Sequence, residues 1–337
     1  MKILITGGAG FIGSNLCEHF IQKGEEVVCL DNLSTGFLHN IDSLINNDRF
    51  SFIKGDICDR EICRNAVTGC DVVLHEAALG SVPRSIEDPI RTNRNNIDGF
   101  LNMIVAAKDE GVKRFVYAAS SSTYGDSQEL PKIEHNIGRP LSPYAITKFV
   151  NELYANVFSD LYGLETIGLR YFNVFGRRQD PNGAYAAVIP LWVKELIHHR
   201  SPFINGDGSF SRDFTYIDNV IQANDLAVVT SKEEIIRRSS LYNLNLPANA
   251  PLDLVFNVAY GNNTTLLELF ECLRTCLSEF DPKISKIQPA FRENRKGDIP
   301  HSQASIEKAK RILGYSPFYS ATEGLRQACR WYWNNLR

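Results

Sequence analysis

The sequence contains no block of like charge. Its 36 Lys and Arg and 39 Asp and Glu are scattered over 337 residues and leave a formal net charge of −3. Nucleic acids and anionic membrane surfaces are bound by clustered basic residues, so neither is expected as a partner. A negatively charged small molecule must therefore be bound by positive charge that is gathered locally.

Long apolar segments and paired cysteine motifs are also missing. The N-terminal apolar run stops at Gly7 and is too short for a signal sequence or a membrane span, which indicates a cytoplasmic protein. The 8 cysteines include no C-x-x-C pair and have no histidine at ligand spacing. We interpret them as reduced core thiols and expect no metal site.

What the sequence does contain is an alternation of short apolar runs with helical patterns. The runs lie at residues 3–6, 27–31, 50–53, 72–75, 115–119 and 166–170 and are nearly unbroken in apolarity. Strands of a parallel sheet that is covered on both faces have this pattern. The predicted fold class is therefore α/β, with a Rossmann-type doubly wound parallel sheet.

The pattern loosens beyond about residue 172, where clusters of Pro, Gly and Asn begin. Loops on a rigid sheet commonly carry specificity residues, and no clean linker separates the two halves. We predict a first domain at residues 1–173, with returns from about 214–230 and 255–260. The rest, residues 174–337, is predicted to form a smaller mixed α/β domain that mainly binds substrate.

A glycine-rich turn directly follows the first predicted strand and opens a helix. Gly7, Gly10 and Gly13 allow a tight turn, a close approach of a pyrophosphate to free N–H groups, and close packing of the helix on the sheet. Asp31, at the end of the next predicted strand, can accept hydrogen bonds from the ribose hydroxyls of an adenosine and would repel a 2′-phosphate. The first domain is therefore predicted to bind NAD rather than NADP.

A tyrosine and a lysine follow one turn apart on one helical face. Ser142 is a good N-cap for this helix, and Tyr144 and Lys148 then point to the same side. An ammonium stabilises a phenolate and lowers its pKa, which would make Tyr144 a usable base for a sugar hydroxyl. An ordinary exposed helix is the alternative, but the hydroxyl run that begins at Ser120, just beyond a predicted strand, favours a site.

At this point the chain resembles the extended short-chain dehydrogenase/reductases. The resemblance rests on the glycine turn, the Ser-rich strand end and Tyr-x-x-x-Lys, and it extends from residue 1 to about 320. Within that family the segments 169–176, 211–214 and 295–298 are most similar to nucleotide-sugar 4-epimerases. The resemblance implies bound NAD, a UDP-sugar substrate and a homodimer formed through the helices at 96–110 and 142–162.

The residues and the resemblance together give three predicted sets. The catalytic set is Ser120, Tyr144 and Lys148, with Ser122 as an alternative to Ser120 if the alignment starts from the strand. The cofactor set also includes Tyr144 and Lys148, and its other members are Gly7, Gly10, Phe11, Ile12, Gly13, Asp31, Asn32, Ser34, Thr35, Gly36, Asp56, Ile57, Ala77, Ala78, Asn96 and Phe172. The substrate set is Gly80, Ser81, Ser121, Ser122, Asn173, Ala187, Val188, Asn205, Arg212, Arg295, Asp298 and Ser302.

The resemblance implies inversion at C4 of a UDP-sugar through a 4-keto intermediate. Related dehydratases carry Asp-Glu where this chain has Ser121 and Ser122, which argues against elimination of water. Ser302 stands where epimerases confined to unacetylated sugars tend to carry tyrosine. UDP-N-acetylhexosamines are therefore the favoured substrates, and use of UDP-glucose and UDP-galactose as well is left open. The alternatives are a UDP-hexuronic acid 4-epimerase, a net NAD-dependent dehydrogenase or reductase, and an NAD(H)-sensing binding protein.

Overall fold

The structure, a computed structural model, describes residues 1–183, 186–242, 251–293 and 299–336. Within these ranges the strands are β1 (Lys2–Thr6), β2 (Glu26–Asp31), β3 (Phe50–Lys54), β4 (Val72–His75), β5 (Arg114–Ser120), β6 (Glu165–Tyr171), β7 (Val174–Phe175), β8 (Phe203–Asn205), β9 (Ser211–Arg212), β10 (Thr215–Tyr216), β11 (Asp253–Val258), β12 (Thr264–Thr265) and β13 (Ala290–Arg292).

The helices in the same ranges are α1 (Phe11–Gln22), α2 (Arg60–Val67), α3 (Val82–Glu87), α4 (Pro89–Asn93), α5 (Gly99–Asp109), α6 (Pro143–Tyr162), α7 (Val188–Ile197), α8 (Ile217–Val229), α9 (Lys232–Leu241), α10 (Leu266–Ser278), α11 (Glu307–Leu313) and α12 (Ala321–Asn335). A π-helical turn, Arg94–Asp98, joins α4 to α5.

The central sheet has seven parallel strands in the order β11-β6-β5-β4-β1-β2-β3. Its register places Ile3 of β1 between Val27 of β2 and Val72 of β4. Strand order reverses beside β1, as it does in doubly wound sheets, and the carboxyl ends of the strands share one edge. The predicted Rossmann-type α/β fold is confirmed.

Alternate residues of each central strand enter two different cores. Ile3 and Ile5 pack with α1 on one face, whereas Leu4 packs with α2 and α5 on the other. Because both faces are covered, these strands bury every second residue on each side and read as continuous apolar runs. The helices α5 and α6 thus lie on the face opposite to α1 and α8.

Segments beyond residue 173 contribute to the same sheet. Strand β11 pairs with the outer edge of β6, and α8 packs against β5, β6 and β11. The C-terminal helices α7, α10 and α12 share one continuous core with the α1 face of the sheet. Short strand pairs, β7 with β10, β9 with β12 and β8 with β13, complete this part of the chain. The boundary at residue 173 stays a prediction.

Two buried ion pairs help to hold α8 and α6 against the central sheet. Arg114 of β5 binds Glu165 of β6 at 2.8 Å through Nε and donates to the carbonyls of Ala227 and Thr230 at the end of α8. Arg170 of β6 binds Glu152 of α6 through two hydrogen bonds of 2.9 and 2.7 Å. A bidentate pair restricts both side chains, so α6 is held in one position against β6.

The 8 cysteines are all free, and Cys58 and Cys272 are the two that are not fully buried. Every helix in the described part of the chain is too short or too polar to cross a membrane.

Candidate active site

A cleft of about 760 Å³ opens at the carboxyl edge of the sheet. This is the edge at which doubly wound sheets bind ligands. Of the residues predicted from the sequence, its lining contains Gly7, Gly10, Phe11, Ile12, Gly13, Asp31, Asn32, Ser34, Thr35, Ile57, Ala77, Ala78, Gly80, Ser120, Ser121, Tyr144, Lys148, Asn173 and Ala187. The fold therefore brings most of the predicted cofactor and catalytic residues to one place.

The glycine turn between β1 and α1 leaves no room for a side chain at Gly7 or Gly13. Gly7 has a φ of +67°, and a Cβ added there would lie 2.8 Å from the backbone nitrogen of Ala77. A Cβ on Gly13 would lie 2.2 Å from the carbonyl oxygen of Gly7. No side chain of the described residues caps α1 at Gly10. The first N–H groups of α1 are therefore available to an anion at the positive end of the helix.

Asp31 lies at the end of β2 and is bonded to the glycine turn. Its Oδ2 accepts from the Ala9 N–H at 3.0 Å, and its Oδ1 accepts from the Leu33 N–H at 2.7 Å. Burial raises the pKa of this carboxyl, and the N–H bonds oppose that shift. Gly36 packs behind it, since a Cβ there would lie 2.9 Å from Asp31 Oδ2. The carboxylate is thus held at the rim of the cleft.

Three of the predicted cofactor residues, Asp56, Asn96 and Phe172, do not line the cleft among the described residues but pack behind residues near it. Asp56 accepts a 3.0 Å hydrogen bond from Asn32. Asn96 is buried and accepts from the Leu79 N–H at 2.8 Å while it donates to Thr147 of α6 at 3.1 Å. Phe172 is fully buried against Tyr124. Asn96 therefore ties the segment after β4 to α6 from behind.

Tyr144, Lys148 and Ser120 meet inside the cleft. Ser142 caps α6 by accepting from the Ala145 N–H at 3.2 Å, so Tyr144 lies in the first turn, facing the end of β5. Tyr144 and Ser120 both line the cleft, and interaction with Ser120 acts to lower the pKa of the phenol, against the effect of burial. Lys148 is buried, and its ammonium donates to the Ala118 carbonyl at 2.7 Å. The three groups come from two elements that are packed directly on one another.

The pKa of Tyr144 differs from the sequence-based expectation. We predicted that Lys148 lowers it, but burial raises the pKa of the phenol, and the interaction with Ser120 offsets this only in part. Burial also lowers the pKa of Lys148 to about 8. The expectation was wrong because Lys148 points its ammonium at the Ala118 carbonyl and both groups lose water.

The structure distinguishes among the three serines at the end of β5, Ser120, Ser121 and Ser122. Ser120 Oγ accepts from the Ser122 N–H at 3.1 Å and from the Ser122 hydroxyl at 2.9 Å. Ser120 and Ser121 are on the cleft lining, and Ser122 contacts Ser120 from behind. Of the three serines, Ser120 is the one whose hydroxyl acts on the pKa of the Tyr144 phenol.

Glu76 and Tyr171 are among the cleft residues that the predicted sets missed. Glu76 follows β4 directly and Tyr171 ends β6, and both line the cleft beside Lys148. The Tyr171 hydroxyl donates to Glu76 Oε1 at 2.8 Å. The position of Glu76 at a strand's carboxyl end was a signal that could have been used.

The other predicted substrate residues that the structure describes are not part of this lining. Arg212 donates to the carbonyls of Ser211 and Pro300, and the Ser302 N–H donates to the Ser211 carbonyl at 3.1 Å. Asn205 accepts from Arg292 at 2.6 Å. Ser81 caps α3 and Val188 begins α7. Arg295 and Asp298 lie outside the described residues.

Comparison with known proteins agrees with this geometry. Residues 3–243 match the family described as NAD dependent epimerase/dehydratase. The chain belongs to this NAD dependent epimerase/dehydratase family. A relative, the UDP-glucose 4-epimerase of Mycolicibacterium smegmatis, is 33% identical over 341 residues, with 99% of each chain covered.

Two solved structures resemble the present chain over 99% of its length. One is the UDP-N-acetylglucosamine 4-epimerase from Methanobrevibacter ruminantium M1 in complex with UDP-N-acetylmuramic acid, with a TM-score of 0.87, 35% identity and coverage of 99% and 98%. Another is the UDP-glucuronic acid 4-epimerase from Bacillus cereus in complex with UDP-glucuronic acid and NAD, with a TM-score of 0.84, 30% identity and coverage of 99% of each chain.

NAD is the cofactor of this family, and the cleft fits it. The glycine turn forms a cradle that a Cβ at Gly7 or Gly13 would fill, and its N–H groups suit a pyrophosphate. Asp31 stands one strand away, where a ribose diol would be bound. The opposite end of the cleft carries Tyr144 and Lys148.

Proposed function

We propose that the protein epimerises C4 of UDP-N-acetylhexosamines and interconverts UDP-N-acetylglucosamine with UDP-N-acetylgalactosamine. The observation that carries this proposal is that Ser120, Tyr144 and Lys148 line the same cleft as the glycine turn and Asp31, with Ser120 three strands away from Asp31 along the sheet. A dinucleotide that extends from Asp31 across the glycine turn brings its nicotinamide to these three side chains.

Tyr144 acts as the base. Bound NAD supplies the chemistry of accepting the C4 hydride and returning it. Ser120 and Tyr144 bind the 4-hydroxyl, and the phenolate of Tyr144 takes its proton and later gives it back. Lys148 binds the nicotinamide ribose and keeps a positive charge in the buried pocket.

The nucleotide part of the substrate must be held while the hexose turns over. We assign this to Asn173, on the cleft lining, and to Arg212, Arg295, Asp298 and Asn205. Arginine binds phosphate oxygens bidentately and would supply the local positive charge that a chain of net charge −3 lacks. Tight binding of UDP with loose contact to the hexose allows both faces of the 4-keto sugar to be presented.

Small residues favour an acetylated sugar. Gly80 lines the cleft, and a Cβ placed on it would meet open space. Ala187 also lines the cleft. Ser302, whose N–H donates to the Ser211 carbonyl at 3.1 Å, is assigned to the sugar pocket by the family resemblance, and tyrosine at this position would fill the volume of an N-acetyl group.

The proposal is tested by incubating the purified full chain with UDP-N-acetylglucosamine, without added NAD, and separating the two epimers. The expected result is an equilibrium mixture formed without net reduction of the cofactor. Stoichiometric accumulation of NADH with an oxidised sugar would instead assign the protein as a dehydrogenase. No conversion, with both UDP-sugar and NAD bound, would assign a binding protein.

Specificity is tested with Ser302→Tyr, using Ser302→Ala as the matched control. Steric exclusion is expected to lower kcat/KM for the N-acetylated substrate by about 10-fold or more while leaving UDP-glucose within about 2-fold. The alanine variant should behave as the wild type with both. An equal loss for both sugars in the tyrosine variant would contradict the pocket-size argument.

A UDP-hexuronic acid is the second candidate substrate, because Arg84 lines the cleft near Gly80. A guanidinium there is suited to bind a sugar carboxylate. UDP-glucuronic acid is therefore assayed in parallel, with the wild type and with Arg84→Gln. A selective loss with the uronic acid in this variant favours the second candidate, and a higher wild-type kcat/KM for the N-acetylated sugar favours the first.

We also propose that the protein is a homodimer paired through α6 and its neighbours. Exposed apolar side chains form a stripe on α6 at helical spacing, Ile146, Leu153, Val157 and Leu161, and Ile90 of α4 is 82% exposed. Burial of such a stripe against a second copy would remove it from water. Light scattering is expected to give the mass of two chains, and Leu161→Glu to shift it toward one.

A further inference from the structure

Glu76 is an acidic residue inside the cleft that the proposed reaction does not use. Its Oε1 accepts the hydroxyl of Tyr171 at 2.8 Å, and that hydroxyl accepts in turn from Asn224 of α8 at 2.9 Å. Its Oε2 is shielded from solvent and has no hydrogen-bond partner among the described residues. The carboxyl is thus fixed in position and only half satisfied.

A buried carboxylate without full hydrogen bonding is costly unless positive charge lies close by. Lys148 of α6 is the cation that acts on Glu76, and Glu76 acts on Lys148 in return. Tyr171 of β6 and Asn224 of α8 are the other polar groups facing it. His75, at the end of β4, packs against Phe100 and Phe115 on the α5 face of the sheet and is neutral near pH 7, because burial lowers its pKa to about 3.

The sheet order tells which part of the dinucleotide Glu76 faces. Along the carboxyl edge the strands run β6, β5, β4, β1, β2, with Asp31 on β2 and the glycine turn on β1. A dinucleotide with its adenosine at Asp31 and its pyrophosphate at β1 has its nicotinamide riboside at β4 and β5. Glu76 ends β4, so it lies on the nicotinamide side.

We propose that the negative charge of Glu76 makes the cleft bind oxidised NAD more tightly than the reduced form, which differs by one positive charge on the nicotinamide ring. This rests on the proposed placement of the dinucleotide. The resting enzyme is thereby kept in the oxidised form that the first half of the reaction needs. The same preference disfavours accumulation of reduced cofactor with a 4-keto sugar and so favours completion of the inversion.

The magnitude follows from Coulomb's law. Two unit charges about 7–10 Å apart at an effective dielectric constant of about 20 change an affinity by about 15- to 50-fold. Burial raises the pKa of Glu76 to about 7, so its charge is lost as pH falls through neutrality. The preference for the oxidised form is therefore expected to weaken below about pH 7 and to be full above it.

The experiment equilibrates the full-length protein with a mixture of NAD⁺ and NADH and measures the ratio of bound forms by near-ultraviolet absorbance. Both forms carry the same two phosphates, so the ratio cancels their contribution. Glu76→Gln keeps an acceptor for Tyr171 but removes the charge, and is expected to lower the bound NAD⁺:NADH ratio by about 10-fold or more. Asp180→Asn, which removes another acid from the cleft lining, is the matched control and should leave the ratio unchanged.

A ratio within about 2-fold of wild type in Glu76→Gln would overturn the inference while the epimerase assignment stands. A wild-type ratio that stays constant from about pH 6 to about pH 8.5 would overturn it as well, whether or not the variant folds. Lys148, with its pKa lowered to about 8, also titrates in this range, but it remains in Glu76→Gln and is separated by that comparison. If the intact chain bound neither form, the proposed function itself would be contradicted.

Discussion

The glycine turn allows the fold and the cofactor site to be perturbed separately. Gly13→Ala places a Cβ 2.2 Å from the Gly7 carbonyl oxygen and 2.8 Å from Gly8 Cα, so α1 must move by about 1 Å to restore contact distance. Gly10→Ala places its Cβ 3.1 Å from the same oxygen, and Gly10 has a φ of −77° that alanine adopts readily. The two substitutions are otherwise identical.

Overpacking of this kind costs about 1–3 kcal/mol, more than the roughly 0.5–1 kcal/mol that alanine contributes over glycine inside a helix. After the helix gain is subtracted, we expect Gly13→Ala to lower the free energy of unfolding by about 0.5–2 kcal/mol, which lowers Tm by about 1–2 °C per kcal/mol in a chain of 337 residues. Gly10→Ala should cost no more than about 1 kcal/mol. Its methyl group, however, stands where the pyrophosphate meets the N–H groups, so NAD affinity should fall by about 10-fold or more.

Urea unfolding and calorimetric titration with NAD measure the two quantities independently. The expected pattern is a loss of stability confined mainly to Gly13→Ala and a loss of affinity in both variants. Wild-type NAD affinity in Gly10→Ala would refute the placement of the pyrophosphate against this turn. Wild-type stability in Gly13→Ala would refute the steric account of the third glycine.

Three further predictions concern the catalytic pair and its support. Tyr144→Phe should lower turnover by about 100-fold or more while NAD and UDP-sugar still bind, and a near-normal rate would remove Tyr144 as the base. Because burial lowers the pKa of Lys148 to about 8, kcat/KM should fall as pH rises above about 8. Lys148→Arg stays charged and should remove that fall. If the fall at alkaline pH is unchanged in this variant, it is caused by another group. Glu152→Gln leaves the buried Arg170 without its anion and should cost about 3–5 kcal/mol in urea unfolding. Glu234→Gln, from solvent-screened pairs with Arg237 and Arg238, should cost far less, and similar costs would contradict the importance of burial.

Much of the sheet could be predicted from the sequence because strands buried on two faces leave continuous apolar runs. Residues 27–31 and 72–75 show this clearly, and β2 and β4 occupy those places. Strands of two or three residues, such as β7, β9 and β12, are too short to show any period. These short strands form because tertiary contacts hold them, and a local sequence pattern does not predict such contacts.

The site shows a similar division. Gly13 and Tyr144 could be predicted because a covalent spacing, three or four residues along a turn or helix, determines their geometry. The direction in which the fold shifts the pKa of Tyr144 could not be predicted, since it depends on how much water the fold removes from the phenol. Asn96 was placed with the cofactor by resemblance, and its actual hydrogen bonds lie one layer behind the wall. Glu76 was missed because a carboxylate after a strand is commonly solvated.

The continuous core between the sheet and the C-terminal helices limits how the enzyme can move. Tyr332 of α12 donates to the Gly176 carbonyl at 2.9 Å, and residues such as Trp192 and Phe270 belong to the same apolar cluster as Ile5 and Leu16. Hinge opening would expose this shared interior to water, at a large cost in free energy. Sugar exchange is therefore expected to proceed through the rim formed by Gln179, Asp180 and Ala187, inside a body that keeps its shape while the hexose reverses its face.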